Sequence, residues 1–282
     1  MSPFRVTVAS SAGFCWGVER ALRKARDAVE TAKGPIETLG PLIHNPGVIA
    51  DLASQGIGLV DDVDTKTEGT VIIRSHGVPR GVMESLAAGD VAVVDATCSF
   101  VKSAQTRAAR LHDEGYRVII LGEPDHPEVL GIRSYAGPDA VVVEGPEDLP
   151  DDLDGRRVGV VVQTTQSQAR LAAITAALVT RVRELRVCNT ICSATERRQE
   201  AAVAMAADAD VVVVVGGRTS GNTKRLVELC AQVQPHTHHI ERAEEIDPAW
   251  LDGAAVVGVT AGASTPATQI ESVVERLREL GS

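Results

Sequence analysis

The chain has 282 residues, enough for two or three modest domains or one large one. Hydrophobic residues make up 44% and charged residues 23%, a balance typical of a packed globular protein. Its formal net charge is -10, which argues against a basic face that neutralises nucleic-acid phosphates. Three Phe, two Tyr and two Trp are too few for an aromatic platform under single-stranded nucleic acid. We therefore expect no nucleic-acid partner.

The N-terminal sequence lacks the basic start and the apolar run of a signal peptide, and no window approaches the ~18 consecutive apolar residues of a membrane span. We therefore expect no membrane partner and a cytoplasmic location. Because cysteines in a reducing compartment rarely form disulfides, the five cysteines predict metal binding, catalysis or burial.

Val-rich runs of strand length recur along the chain, with helical patterns between them. The runs are nearly continuous rather than alternating, which is typical of parallel strands buried on both faces. Apolar residues at helical spacing predict helices over residues 19–30, 196–207 and 266–280. Strands alternating with helices predict an α/β fold with mostly parallel sheets. The predicted strands cover residues 6–9, 71–73, 91–94, 118–121, 158–162, 211–215 and 256–259.

Three cysteines share one local pattern, in which a strand or short loop runs into the cysteine and then directly into a helix. They are Cys15, Cys98 and Cys192, and the intervals between them are 83 and 94 residues. A nearly constant interval of this size indicates three related α/β units. We place these units at residues 1–97, 98–190 and 191–282, with the N-terminal strand a candidate to pack with the third unit.

A cysteine at a helix start is a good metal ligand, because the helix dipole and the terminal N–H groups favour the thiolate. A structural zinc site usually has four protein ligands and a close cysteine pair, and the chain has no such pair. Three single cysteines suit a cubane iron–sulfur cluster with one iron open to substrate. The alternative, that each cysteine is a small buried hydrophobe, stays open. We assign Cys230 to core packing, and Cys188 is a weaker ligand candidate than Cys192.

Polar side chains follow the other predicted strands, where ligands of open α/β sheets bind. They comprise histidines, hydroxyls and amides with one obvious carboxylate. Two of the loops, GGRTSGN and AGASTP, enter helices and are suited to an anion. Each residue also has an ordinary explanation as a helix cap or a surface histidine. The candidates are His44, His76, His126, Glu128, Thr164, Ser220, Asn222 and Ser264.

The chain resembles the LytB-type 4-hydroxy-3-methylbut-2-enyl diphosphate reductases. The matching segments appear in the family's order from residue 13 to residue 266, and they include GFCWGVERA, IIRSHGVP, VDATCSFVKSAQ, DHPEVLGI, QTTQS, ICSATERRQEA and GVTAGASTP. The resemblance implies a cloverleaf of three α/β units around a central [4Fe-4S] cluster. The cluster ligands it implies are Cys15, Cys98 and Cys192.

The resemblance also implies roles for the polar strand ends. The family's proton-delivering glutamate matches Glu128, and its active-site threonine matches Thr164. Three positions depart from the family pattern, namely Asp125, Ser99 and Gly221, and the last removes one hydroxyl expected near the diphosphate. The diphosphate contacts that it implies match His44, His76, His126, Ser220, Asn222 and Ser264.

The expected reaction removes the allylic hydroxyl of (E)-4-hydroxy-3-methylbut-2-enyl diphosphate as water, giving isopentenyl and dimethylallyl diphosphate. Two electrons would come singly from an external ferredoxin or flavodoxin, which requires a local basic patch that we place at Arg197 and Arg198. The alternatives are a paralogue acting on another phosphorylated substrate, a non-enzymatic redox cluster protein and a zinc hydrolase.

Overall fold

The computed structural model describes residues 3–61 and 68–282. Within these ranges the chain forms three four-stranded sheets in which every strand pair is parallel, with helices connecting the strands. The predicted α/β fold with parallel sheets is therefore confirmed. The chain divides into two compact units. The smaller unit comprises Met1–Val18, His44–Val48 and Ser193–Ser282, and the larger unit comprises Glu19–Ile43 and Ile49–Cys192.

The larger unit contains two of the sheets. The first has the order β3-β2-β4-β5 and the second has the order β7-β6-β8-β9. The strands are β2 (Ile36–Leu39), β3 (Ile57–Val60), β4 (Thr70–Ile73), β5 (Ala92–Asp95), β6 (Arg117–Leu121), β7 (Val141–Val143), β8 (Arg157–Val162) and β9 (Glu184–Val187). The helices that lie wholly or mostly in this unit are α1 (Trp16–Thr31), α2 (Pro46–Ser54), α3 (Arg80–Ala88), α4 (Ser99–Asp113), α5 (Pro127–Arg133) and α6 (Gln168–Val179).

The smaller unit contains the third sheet, whose order is β1-β12-β10-β11. Its strands are β1 (Arg5–Val8), β10 (Val211–Val215), β11 (Thr237–Ile240) and β12 (Val256–Ala261). Its helices are α7 (Ser193–Ala207), α8 (Gly221–Val233) and α9 (Ala267–Leu280).

All three sheets repeat one connectivity. In β2–β5 and in β6–β9, the first and third strands in chain order are central, and the second and fourth form the two edges. The sheet of the smaller unit has the same arrangement for β10, β11 and β12, and β1 from the start of the chain occupies the place of the fourth strand. Three similar α/β modules therefore account for the twelve strands of the described chain, although the predicted boundaries at 97 and 190 remain a prediction.

Burial follows the position of a strand in its sheet. The central strand β10 is buried at all five positions, and β4 at all four, as their continuous apolar sequences predict. Both β1 and β5 are edge strands, and none of their residues is fully buried. The prediction that these two runs are buried on both faces was therefore wrong. Edge strands such as β11, with the sequence THHI, carry too few apolar residues for a run to be visible in the sequence.

No helix in the described ranges has both the length and the apolar character that crossing a bilayer requires.

Because the core around the second sheet is closely packed, we expect truncation of one buried side chain there to lower the free energy of unfolding substantially. Ile120 on β6 is fully buried in a cluster with Val118, Leu111 and Val161. Because Ile120→Ala leaves a cavity that close packing cannot fill, we expect it to lower the free energy of unfolding by about 2–5 kcal/mol. Val179→Ala, at a position that is 59% exposed, should change it by less than about 0.5 kcal/mol. Urea unfolding followed by circular dichroism measures both values, and equal effects would contradict the assigned core.

Candidate active site

Each of the three junction cysteines is attached to its neighbouring strand by the same hydrogen bond. In every sheet the backbone N–H of the cysteine donates to the carbonyl oxygen of the residue two positions beyond the end of the adjacent central strand. That neighbouring strand is β12, β4 or β8, ending at Ala261, Ile73 or Val162. The pairs are Cys15 with Ala263 (3.3 Å), Cys98 with Ser75 (2.9 Å) and Cys192 with Thr164 (3.0 Å).

A helix begins directly after each cysteine, so each thiol lies at a strand-to-helix junction. Cys98 is the N-cap residue of α4, with extended backbone angles. All three thiols are partly exposed and none forms a disulfide. Cys230, by contrast, is fully buried in a hydrophobic cluster on α8, and this burial raises its pKa to about 11, which confirms its assignment to the core.

Two arginines fix the loops that lead into two of the cysteines, and the sequence patterns did not identify either role. Arg20 on α1 donates to the carbonyl of Thr97, one residue before Cys98 (2.7 Å). Arg198 on α7 donates to the carbonyl of Gly13, two residues before Cys15 (2.7 Å). Each arginine lies five or six residues after a junction cysteine, on the helix that follows that cysteine. This shared spacing is the sequence signal from which the two arginines could have been predicted.

The buried state of Arg198 also corrects the predicted basic patch. Its side chain is only 4% exposed and its guanidinium donates to backbone carbonyls of Gly13 and Ala194. Arg197 is exposed, but a surface patch that includes Arg198 does not exist.

The polar candidates occupy equivalent places after the strands of the three modules. His44, His126 and Ser220 each lie five residues beyond the first strand of their module, at or one residue before the N-cap of a helix. His76 and Ser264 each lie three residues beyond the third strand, and Thr165 is the equivalent residue of the remaining module. The connectivity thus repeats while the side chain at each position changes between imidazole and hydroxyl.

His126 is oriented by the backbone of the helix that it starts. Its Nδ1 accepts the backbone N–H of Glu128 (3.1 Å), so the neutral ring carries its proton on Nε2. The ring of His76 lies edge-on to it, with ring centroids 5.5 Å apart and an interplanar angle of 79°. The larger unit therefore brings these two predicted histidines together, and His126 can act as a donor through Nε2.

Glu128 is a buried carboxyl group held by Thr164. It is 2% exposed, and its two oxygens accept the backbone N–H of Thr164 (2.6 Å) and the hydroxyl of Thr164 (2.9 Å). Loss of solvation on burial raises the pKa of Glu128 to about 7, although both hydrogen bonds from Thr164 act in the opposite direction. The carboxyl group is therefore poised to exchange a proton near neutral pH.

The smaller unit brings together a second set of predicted residues around the carbonyl of His44. The hydroxyl of Ser264 donates to this oxygen (3.1 Å). The backbone of Gly217 approaches it so closely that a Cβ there would lie 2.5 Å from it, which requires glycine. Asn45 caps α2 by accepting the N–H of Val48 (3.1 Å).

Asn222 is buried near the start of α8 with an unusual hydrogen-bonding state. Its side chain is 4% exposed, and neither the amide nitrogen nor the amide oxygen has a hydrogen-bond partner among the described residues. A buried amide in this state costs ~1–3 kcal/mol per unsatisfied group, which a polar ligand would offset. The preceding Ser220 accepts the N–H of Thr223 (3.3 Å) and caps the helix.

The predicted residues thus fall into two groups. The smaller unit holds Cys15, His44, Ser220, Asn222 and Ser264, and the larger unit holds His76, Cys98, His126, Glu128, Thr164 and Cys192.

Comparison with known proteins gives one consistent result. A family model described as "LytB protein" matches residues 6–278. A protein of Geobacter metallireducens named 4-hydroxy-3-methylbut-2-enyl diphosphate reductase is 46% identical over 277 residues, which cover 98% of each chain.

Two solved structures are also similar. One, titled as (E)-4-hydroxy-3-methyl-but-2-enyl diphosphate reductase, the terminal enzyme of the non-mevalonate pathway, is 41% identical with a TM-score of 0.71, over 98% of this chain and 99% of that one. The other, the E-1-hydroxy-2-methyl-but-2-enyl-4-diphosphate reductase from Plasmodium falciparum, is 25% identical with a TM-score of 0.89, over 98% and 88%.

The raised pKa of Glu128 predicts a pH-dependent cost of folding. The folded carboxyl group binds its proton more tightly than the unfolded one, so its contribution to stability falls as the pH rises from about 4.5 to about 7. Glu128→Gln removes an ionisation that opposes folding, and we expect it to be more stable than the wild type at pH 8 by about 1–3 kcal/mol, with a smaller difference at pH 5.

Urea unfolding at the two pH values measures this difference. Asp125→Asn, three residues before Glu128 and exposed, is the matched control and should not reproduce the advantage at pH 8. A Glu128→Gln advantage that is equal at both pH values would contradict the raised pKa.

Proposed function

The chain belongs to the LytB protein family, and from this premise and the geometry above we propose that it is an oxidoreductase that converts (E)-4-hydroxy-3-methylbut-2-enyl diphosphate into isopentenyl and dimethylallyl diphosphate. The reaction replaces the allylic hydroxyl by hydrogen, consumes two electrons and two protons, and releases water. The observation that carries the proposal is the buried Glu128–Thr164 pair, whose carboxyl group has a pKa of about 7.

The three junction cysteines are the proposed ligands of a [4Fe-4S] cluster. Their partly exposed, disulfide-free thiols at strand-to-helix junctions fit a cluster, since a helix start favours the thiolate that iron requires. When bound, the cluster accepts the electrons and offers an iron without a protein thiolate as a Lewis acid for the substrate hydroxyl. The backbone hydrogen bonds of Cys15, Cys98 and Cys192 anchor the main chain that carries the three thiols.

Glu128 is the proposed proton source. Its neutral form predominates below about pH 7, because burial disfavours the carboxylate. The hydroxyl of Thr164 touches one carboxyl oxygen, so it can pass a proton from Glu128 to the departing hydroxyl group of the substrate. The leaving group then departs as water rather than as hydroxide, which lowers the barrier to breaking the carbon–oxygen bond.

The histidines, hydroxyls and buried amide are the proposed binding groups for the diphosphate. Nε2–H of His126 and the amide of Asn222 can donate to phosphate oxygens, and the buried amide fits a ligand that satisfies it. Binding of this remote group orients the reacting carbon. The residues assigned this role are His44, His76, His126, Ser220, Asn222 and Ser264.

The three departures from the family pattern lie at helix starts. Ser99 and Gly221 are the first residues of α4 and α8, where the backbone N–H groups remain available whichever side chain is present. Asp125 is exposed, one residue before the N-cap His126. None of the three is a proposed ligand of the cluster.

The electrons come from outside the chain, since the sequence has neither a GxGxxG fingerprint nor a P-loop for a nucleotide cofactor. The proposed donor is a small one-electron carrier such as a ferredoxin or flavodoxin.

Anaerobic turnover with a reduced viologen dye tests the reaction. We expect the wild type to consume the allylic diphosphate and Glu128→Gln to lose at least about 100-fold in kcat, because general acid catalysis typically contributes ~10²–10⁴-fold. Asp125→Asn should retain wild-type turnover. Full activity of Glu128→Gln, with its cluster intact, would show that Glu128 is not the proton donor.

Iron content tests the cluster assignment separately. We expect Cys98→Ser and Cys192→Ser, purified without oxygen, to lose the brown absorbance and most of the iron, because serine is a much poorer ligand for iron–sulfur clusters. Cys188→Ser is the matched control, four residues from Cys192, and should keep the wild-type iron content. A cluster that survives both ligand substitutions, or is lost in the control, would show that the assignment is wrong.

A further inference from the structure

A groove of about 520 Å³ lies in the larger unit beside α4. Its lining includes Arg107 and Arg110 on the helix, and Arg186 and Cys188 at the end of β9. Neither the proposed reaction site nor the substrate contacts use these residues. The groove is basic in a chain whose formal net charge is -10.

The charge of the groove is only partly compensated. Glu114 is the carboxylate that pairs with two of the arginines, accepting from Nε of Arg110 (2.7 Å) and from Nη1 of Arg186. The Nε of Arg107 donates to the hydroxyl oxygen of Ser103 (3.4 Å), and no carboxylate of the described residues forms an ion pair with this arginine. Three guanidinium groups and one carboxylate leave a local charge of about +2.

Arg186 is held in place on the groove wall. Its guanidinium lies over the ring of Tyr116, with Cζ 4.6 Å from the ring centroid, and it also pairs with Glu114. Arg157 stacks over the same ring at 4.2 Å and pairs with Glu184. Such restraint lowers the conformational entropy that a partner must remove on binding.

Both walls of the groove lead directly to proposed cluster ligands. Along β9 the segment after Cys188 continues the ladder with β8: Cys188 N–H donates to Val160, Thr190 bonds to the backbone of Val162, and Cys192 N–H donates to Thr164. Three residues lie between Cys188 and Cys192, so the four steps of extended chain span ~13 Å at most.

The other wall is the helix that begins after Cys98. Phe100, Ser103, Arg107 and Arg110 form one exposed stripe of α4, at spacings of three and four residues. Arg107 lies nine residues from Cys98, about 13 Å along the helix axis. The stripe is apolar at Phe100, near Cys98, and basic at Arg107 and Arg110, further along the helix.

This junction differs from the other two. Arg20 and Arg198, five and six residues after their cysteines, reach the loops before Cys98 and Cys15. The corresponding position of α4 is Ser103, which lines the groove.

We propose that this groove and the exposed stripe of α4 dock the acidic one-electron carrier protein that reduces the enzyme. The assignment rests on the proposed function. Charge complementarity selects an acidic partner on this face of an otherwise acidic chain, and both walls end at proposed ligands within ~13 Å. Two carriers dock in turn, each is oxidised by one electron, and the two electrons with two protons convert the allylic alcohol into an alkene and water.

Charge reversal tests the docking surface in the full-length, cluster-loaded enzyme. With a reduced acidic [2Fe-2S] ferredoxin as donor at low ionic strength, we expect Arg107→Glu to lower kcat/KM for the carrier by about tenfold or more, because like charges now face each other. Raising the salt should reduce the difference from the wild type. With reduced methyl viologen as donor, turnover should stay at the wild-type value.

Arg278→Glu is the matched control, an exposed arginine in the last turn of α9. It should leave both activities unchanged. An equal loss with ferredoxin and viologen, or an unchanged kcat/KM for ferredoxin in Arg107→Glu and in Arg107→Glu/Arg110→Glu, would overturn the docking proposal. Failure of the wild type with viologen would instead overturn the proposed reaction, so the two failures are distinguishable.

Discussion

One backbone hydrogen bond, made three times, is the constraint on which the proposed chemistry depends. A single rotatable bond, Cα–Cβ, separates a cysteine sulfur from the main chain, so the position of this ligand atom is set largely by the backbone that carries it. In each module the N–H of the cysteine donates to a carbonyl on the extension of a buried central strand. That strand is hydrogen-bonded on both sides and largely buried, which restrains the carbonyl that the cysteine binds. The helix that follows then directs its N-terminus at the same point.

The buried carboxyl group of Glu128 lowers the stability of the folded protein at high pH, and the surrounding structure nevertheless holds it in place. Glu128 lies in the first turn of a seven-residue helix whose N-cap is a histidine, and Thr164 follows the strand next to it. Both carboxyl oxygens of Glu128 accept hydrogen bonds from Thr164, which fixes the position of the carboxyl group while burial removes its solvation. The resulting rise in pKa costs free energy at alkaline pH and provides an acid at neutral pH.

The sequence could predict the α/β class, the three junction cysteines and five of the six central strands, because buried parallel strands are mostly continuous apolar runs and cysteine is rare. The central strand β2, with the sequence IETL, was missed because polar residues interrupt it. The sequence predicted the Val-rich edge strands β1 and β5 but not the edge strands β9 and β11, whose half-exposed sequences resemble loops. The sequence also could not predict that Arg198 is buried, since this burial depends on the backbone carbonyl of Gly13, which is distant in the sequence and accepts its hydrogen bond. The tautomer of His126 and the pKa of Glu128 depend on backbone neighbours that no sequence pattern encodes.

The position of β1 has a consequence for the synthesis of the chain. Its register joins Arg5–Val8 to Val256–Val259, so β1 cannot pair until β12, the last strand of the described chain, has been made. About 250 residues separate the partners, and at ~5–20 residues per second this delay is roughly 10–50 s. By the end of this delay the sheets that position Cys98 and Cys192 have been made, whereas the segment that carries Cys15 has had no strand to dock on. Assembly of the proposed three-cysteine site is thereby postponed until β12 has been made.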